Sequence, residues 1–175
     1  VIAMLVFRID PSKILYKILQ RGRMGESGET YAFNIDALML NNSRFDDQLR
    51  EIGLIEKSQE SALNISIRDH GGDLTRGFRS EIDIPQLPMT AMAASAVSGR
   101  NGTNIDGYRD YRGVDVVGAW RWMGRLGFGL TTEQNYKEAY APVINLRYLA
   151  AGSTFFIVFL VIGLAYILQI RNRRI

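Results

Sequence analysis

Apolar positions change their spacing several times along this chain, and each change marks a different kind of element. Residues 1–9, VIAMLVFRI, form an apolar run of strand length rich in Val, Ile and Phe, which predicts a mostly buried strand. Asp10 followed by Pro11 predicts a helix start, because the Asp oxygen accepts orphan amide hydrogens and Pro at the first helical position gives up nothing. Ile14, Leu15, Ile18 and Leu19 then trace one helical face, and Gly22 is placed to end it. In RMGESGETYAFN, residues 23–34, Gly25 and Gly28 predict a turn into a half-buried strand in which Tyr31, Phe33 and Ile35 alternate with Ala32 and Asn34. A short turn at Asp36 and Ala37 with a return over Leu38–Leu40 completes the pattern of a hairpin.

Residues 41–106 are polar and turn-rich, with an amphipathic patch from Phe45 to Ile55 and a small-residue helix, TAMAASAVSG, after Pro88. Period-2 order returns at YRDYRGVDVVGAWRW. Val114, Val116, Gly118, Trp120 and Trp122 fall on one face, and Asp115, Val117, Ala119 and Arg121 on the other. A turn from Met123 to Gly127 leads into a second strand, FGLTTE. Asn135 is positioned to cap a helix beginning NYKEAYAPV, which bends at Pro142 and runs into the longest apolar stretch of the chain.

That stretch, Tyr148 to Ile170, holds 23 residues without one charge. At about 1.5 Å per residue it reaches about 35 Å, enough for a hydrocarbon core of roughly 30 Å. A buried core helix is the alternative, and length without charge argues against it. RNRRI follows at once, so the positive-inside rule puts residue 175 in the cytoplasm and residues 1–147 outside.

Composition then narrows the classes. Lys and Arg number 21 against 18 Asp and Glu, and Arg171, Arg173 and Arg174 account for the whole excess. Charge therefore gives no support for a nucleic-acid-binding face. With no Cys, disulfides, zinc–thiolate sites and a Cys nucleophile are excluded. An exported domain that folds without disulfides fits a bacterial envelope. The 175 residues leave room for one medium domain with attachments, and an opening without initiator Met or basic leader reads as a segment of a longer protein.

Few residues carry chemistry. Gly22, Gly25 and Gly28 are not a phosphate loop, because no Lys follows and Glu26 and Glu29 would repel anions. Asp69-His70-Gly71-Gly72-Asp73 holds the only His, yet no second His or nucleophile elbow accompanies it, so no metal or cofactor is expected. Asn104-Ile105-Asp106-Gly107 fails as a calcium loop at both ends, with Gly102 and Gly113 where ligands should stand. The remaining candidate set is Tyr108, Arg109, Tyr111, Arg112, Asp115 and Trp120. Arg binds a carboxylate bidentately and Tyr or Trp walls an organic ligand, a combination suited to a small polar metabolite. The competing reading makes Trp120 and Trp122 core residues and the charges a solvated strand edge.

IAMLVFRID, ILQRGR, GESGETYAFN, LMLNNSRF, YRGVDVVGAWRW and FGLTTEQNYKEAYAP before a membrane helix together resemble the membrane-proximal module of a double Cache sensor domain. The resemblance covers nearly all of residues 1–170 and is specific at the ends rather than over 56–106. It implies an α+β, PAS-like module with a central antiparallel sheet flanked by helices. On this expectation residues 1–9 close a preceding distal module, 10–142 are the proximal module, 143–170 the transmembrane helix and 171–175 a cytoplasmic stub. Such modules are extracytoplasmic inputs of homodimeric bacterial kinases, cyclases and chemoreceptors. A small ligand such as an amino acid or organic acid is implied, with the main pocket often in the distal module. Ala37 departs from the family, which usually has Gly there. Two other classes stay open: an anchored envelope hydrolase using His70 or Ser98, and a stalk that binds nothing.

Overall fold

Gly28 closes the predicted glycine turn by donating its amide to the Met24 carbonyl at 2.8 Å. The computed structural model describes residues 18–173, so the predicted strand over 1–9 and the helix start at Asp10 lie outside the described residues. Residues 18 and 19 are helical, Leu19 is buried, and a short 3-10 turn, Gln20–Gly22, ends the helix where Gly22 predicts.

Strand β1, Glu29–Phe33, follows the turn and is buried along both faces rather than on alternate positions. It stops at Phe33, and Ile35, expected to continue the inward face, is 59 % exposed. The return over Leu38–Leu40 makes isolated bridges, Phe33 with Met39 and Leu38 with Ser66, in place of a regular hairpin strand. The side-chain oxygen of Asn34 accepts the amides of Asp36 at 3.0 Å and Leu38 at 2.8 Å, which curls the chain before a ladder can extend. Ala37 lies in that curl at φ 60, the left-handed region, with its methyl buried in the core.

That conformation sets a near-balance that can be measured. Ala37→Gly relieves roughly 1–2 kcal/mol of left-handed strain. It also deletes a buried methyl, worth about 0.8 kcal/mol, and loosens the unfolded chain by about 0.4–1 kcal/mol. Thermal unfolding should therefore move by less than about 4 °C. Ala37→Val, β-branched at positive φ, should melt clearly lower.

The full partner of β1 is distant in sequence. The other strands are β2, Gly102–Arg109, β3, Asp115–Met123, and β4, Phe128–Asn135. The sheet order is β1-β4-β3-β2 with every neighbour antiparallel. β3 and β4 are the predicted hairpin about Met123–Gly127, paired from Val116 opposite Asn135 to Met123 opposite Phe128. The fold is thus α+β with a four-stranded antiparallel sheet among the described residues.

Two short helices complete the core. Helix α1, Asp46–Glu51, contributes Leu49. Helix α2, Ala91–Val97, is capped by the Thr90 hydroxyl, which accepts the Ala93 amide, and buries Met92, Ala93 and Ala96. Small residues at two of those positions let its backbone approach β2 and β3. Tyr31, Phe33, Met39, Leu49, Ile67, Met92, Tyr111 and Val116 belong to one buried cluster, and Trp120 packs against it. Of the two faces that alternation separates in β3, the one carrying Val116 and Trp120 turns to this cluster.

Helix α3 begins at Tyr136, directly after the last residue of β4, and runs 37 residues to Asn172 with Pro142 inside it. It is long and apolar enough to cross a membrane. The chain divides into two compact units between Glu138 and Ala139. The first turn of α3 therefore belongs with the sheet.

Candidate functional site

The segment YRDYR is built into the core by the chemistry of its own turn. A register shift between Asn104 and Tyr108 marks an irregularity in β2, beyond which Tyr108 is buried, a placement bulges are suited to produce. Asp110 then accepts the amides of Arg112 at 2.8 Å and Val114 at 2.9 Å through one oxygen, the loop that lets the chain reverse into β3. Its other oxygen receives the Arg112 guanidinium at 2.7 Å, and both side chains are at most 3 % exposed. Arg112 also donates to Gln48 at 3.0 Å and Asn135 at 3.3 Å, and its guanidinium lies 3.6 Å over the Phe45 ring. One cation thus ties α1, the turn, the end of β4 and an aromatic face together.

Two buried carboxylates stand beside this pair, both from strands. Glu29 on β1 accepts the Tyr111 phenol at 2.7 Å and the Arg44 amide at 2.7 Å, while Ser43 and Tyr111 share a hydroxyl contact of 2.7 Å. Burial pushes its carboxyl up, offset in part by the Ser43 and Tyr111 hydroxyls and the charge of Arg112. Glu133 on β4 accepts Tyr108 at 2.7 Å and Tyr31 at 2.8 Å. Burial, reinforced by the negative charge of Asp110, pushes Glu133 up to about 8. Glu29 and Glu133 are direct cross-strand partners in the β1–β4 ladder, a placement that would be repulsive if both were charged. All three phenols are held above the ordinary Tyr range, first by burial and then by the adjoining carboxylates.

The six residues singled out from the sequence fall in three places. Tyr108, Tyr111 and Arg112 meet in the buried network. Trp120 packs edge-on against Tyr108 at 5.9 Å and donates its indole N–H to Ser95 at 3.1 Å, as a core residue would. Arg109 is at the surface, held by a two-pronged pair with Asp69 at 2.8 Å beside His70, Phe78 and Pro88. Asp115 is exposed and lines an open groove of about 310 Å³ with Gln48, Asp73, Arg76, Arg112 and Lys137. Only Arg112 belongs to both network and groove.

Glu29 and Glu133 were not among the residues the sequence singled out. In β4 the buried positions are Gly129, Thr131 and Glu133, while Phe128 and Leu130 are only partly covered. A polarity pattern read alone points the other face inward. Among the described residues no group of three or more His, Cys, Asp or Glu is gathered to hold a metal. His70 is buried, and burial pushes its imidazole down despite the charges of Asp69 and Asp110. The Ser98 hydroxyl donates to the Ser95 carbonyl at 2.7 Å.

A second tie fixes the turn before β1 to the start of α3. The carboxylate of Glu138 accepts the amides of Glu26 and Ser27, each at 2.8 Å, and the Ser27 hydroxyl. Ser27 in turn accepts the Asn135 amide at 3.0 Å. Gly25, at φ 58, leaves room for this carboxylate, and a Cβ there would overlap it. The Ser27 hydroxyl and the surrounding amides hold Glu138 below the usual carboxylate range, and an acid in the first turn suits the helix dipole. No protein-family model, no curated protein and no solved structure matches this chain.

Proposed function

We propose that this chain is the membrane-proximal, Cache-like input module of a transmembrane signalling receptor, working as a relay between an extracytoplasmic signal and a cytoplasmic effector. The observation that carries the reading is the junction at residue 136. The central strand β4 passes into a membrane-length helix without a linker, and Glu138 binds that helix's first turn to the loop that launches β1. A shift of the sheet by 1–2 Å, about the size used by known switches, would reach the first turn of the helix, which follows β4 directly. In this reading the receptor is a homodimer in the inner membrane, residues 1–147 are extracytoplasmic, and the effector is a kinase, cyclase or chemoreceptor domain. The module itself performs no catalysis.

The absence of Cys makes a topology test clean. Leu63→Cys, at a position 58 % exposed, should react with a membrane-impermeant thiol reagent on intact cells, and Arg173→Cys only after permeabilisation. The opposite labelling pattern would sink the proposal. The tie at the junction is tested by Glu138→Ala, which should speed amide hydrogen exchange at Glu26 and Ser27 by roughly tenfold as two charge-assisted bonds vanish. Unchanged exchange there would remove the coupling element.

The groove beside the junction favours a second reading, in which the module binds its own ligand. Asp73, Arg76, Arg112, Asp115 and Lys137 line it, with Arg76 paired to Asp73 at 3.2 Å, charges of both signs that suit a zwitterion such as an amino acid. Calorimetry against amino acids, organic acids and amines separates the two. Saturable heat that Asp115→Ala abolishes identifies a binder, and its absence leaves a relay.

A further inference from the structure

We infer that Glu133 is a proton-binding site, because its buried carboxyl stands across the β1–β4 ladder from the buried carboxyl of Glu29 and both its oxygens meet phenols rather than a cation. Both carboxylate oxygens meet phenols, Tyr108 at 2.7 Å on one and Tyr31 at 2.8 Å on the other. The buried guanidinium of Arg112 is committed to Asp110 instead. From β1 the site faces Tyr31 and Glu29, from β2 Tyr108, and from the following turn Asp110. The charges acting on it most, Asp110 and Glu29, are both negative. β3 presents only Gly118, where a Cβ would come within 2.9 Å of the Glu133 side chain and overlap the Tyr108 phenol. The strand thus keeps open the space in which phenol and carboxyl meet.

The two arrangements differ in the direction of donation. With Glu133 ionised, Tyr31 and Tyr108 both donate to it. With the proton taken from water, the acid donates to Tyr108, whose oxygen then accepts where it had donated. Gain or loss of charge occurs at the β1–β4 ladder, two residues before β4 ends at Asn135. As an input to the relay this rests on the reading above. As a proton site it does not.

The sign follows from the positions of the two states. Glu133 is pushed up to about 8 in the fold from 4.5 when free, so between those values the fold holds a proton that the unfolded chain has released. Its contribution to stability is full below 4.5, declines by up to about tenfold in the unfolding equilibrium per pH unit, and is lost above about 8. His70, pushed down from 6.5 by burial, acts with the opposite sign and only below that value. The window from 6.5 to about 8 therefore isolates Glu133 from His70.

The test is infrared titration of the full chain in detergent micelles between about pH 6 and about pH 10, paired with urea unfolding across the same range. A protonated-carboxyl band should titrate near 8 and disappear in Glu133→Gln, whose unfolding should also lose its pH slope in that window. Tyr108→Phe keeps the acid but removes a donor to its ionised form, so the band should persist with its midpoint moved upward. A wild-type chain with no such band, or a band and slope that survive in Glu133→Gln, overturns the site. A midpoint unmoved in Tyr108→Phe overturns the part of the site that the phenol supplies even if Glu133→Gln does not fold. Thiol labelling reads the relay topology separately.

Discussion

Arg112→Ala is expected to lower stability by about 3–5 kcal/mol and the melting midpoint by on the order of 10 °C. The cost comes from what is left behind. Asp110 is 1 % exposed, and without the guanidinium its charge stays inside the fold with only two amides and no counterion. Gln48 and Asn135 also lose a donor, and Phe45 loses the plane stacked on it. Arg112→Lys should recover only part, because a point charge cannot make the fork to Asp110 and lie flat on Phe45 together. Replacing both partners by apolar residues, Arg112→Met with Asp110→Leu, should be far milder than Arg112→Ala, since no lone buried charge remains. Circular dichroism melting of the full chain in micelles checks the series. A loss of under about 1 kcal/mol for Arg112→Ala would show that the pair is solvated like a surface one.

Phe33→Ala should be comparably severe, at about 3–5 kcal/mol, while Ile35→Ala should stay within about 0.5 kcal/mol. The two positions look alike in sequence, two apart in an alternating run. In the fold Phe33 is fully enclosed and Ile35 is 59 % exposed. Phe33 stands opposite Gly129 of β4, and its ring occupies the space a side chain would fill there. Truncating it opens a cavity that a glycine backbone has nothing to refill. Equal losses at the two positions would mean that β1 continues to Ile35, as alternation alone suggests.

What was legible follows the range of the interaction that decides each element. The charge-free helix over Tyr148–Ile170 is visible because length and absence of charge are properties of one contiguous stretch. The β3–β4 hairpin is visible because its alternation and its turn lie within about one strand length of each other. The return after Asp36 has the pattern of a hairpin strand, but its ladder is displaced by the Asn34 side chain, a contest local patterns do not rank. YRDYR carries visible chemistry, but its partners Glu29 and Glu133 come from other strands. Nothing near Tyr108 or Tyr111 in the chain announces them. The candidate residues therefore separated into core, surface pair and groove once those strands were in place.

By itself, then, the order of residues determined individual strands and helices, glycine turns, a terminal hairpin and one charge-free helix of membrane length, because each depends on periodicity or on unbroken apolar length. Tertiary structure alone decided that β1 pairs with β4. That register sets Glu29 against Glu133 and brings three phenols onto them. The physical reason is that a carboxyl's role depends on its burial and on who donates to it, and both are supplied by strands remote in sequence.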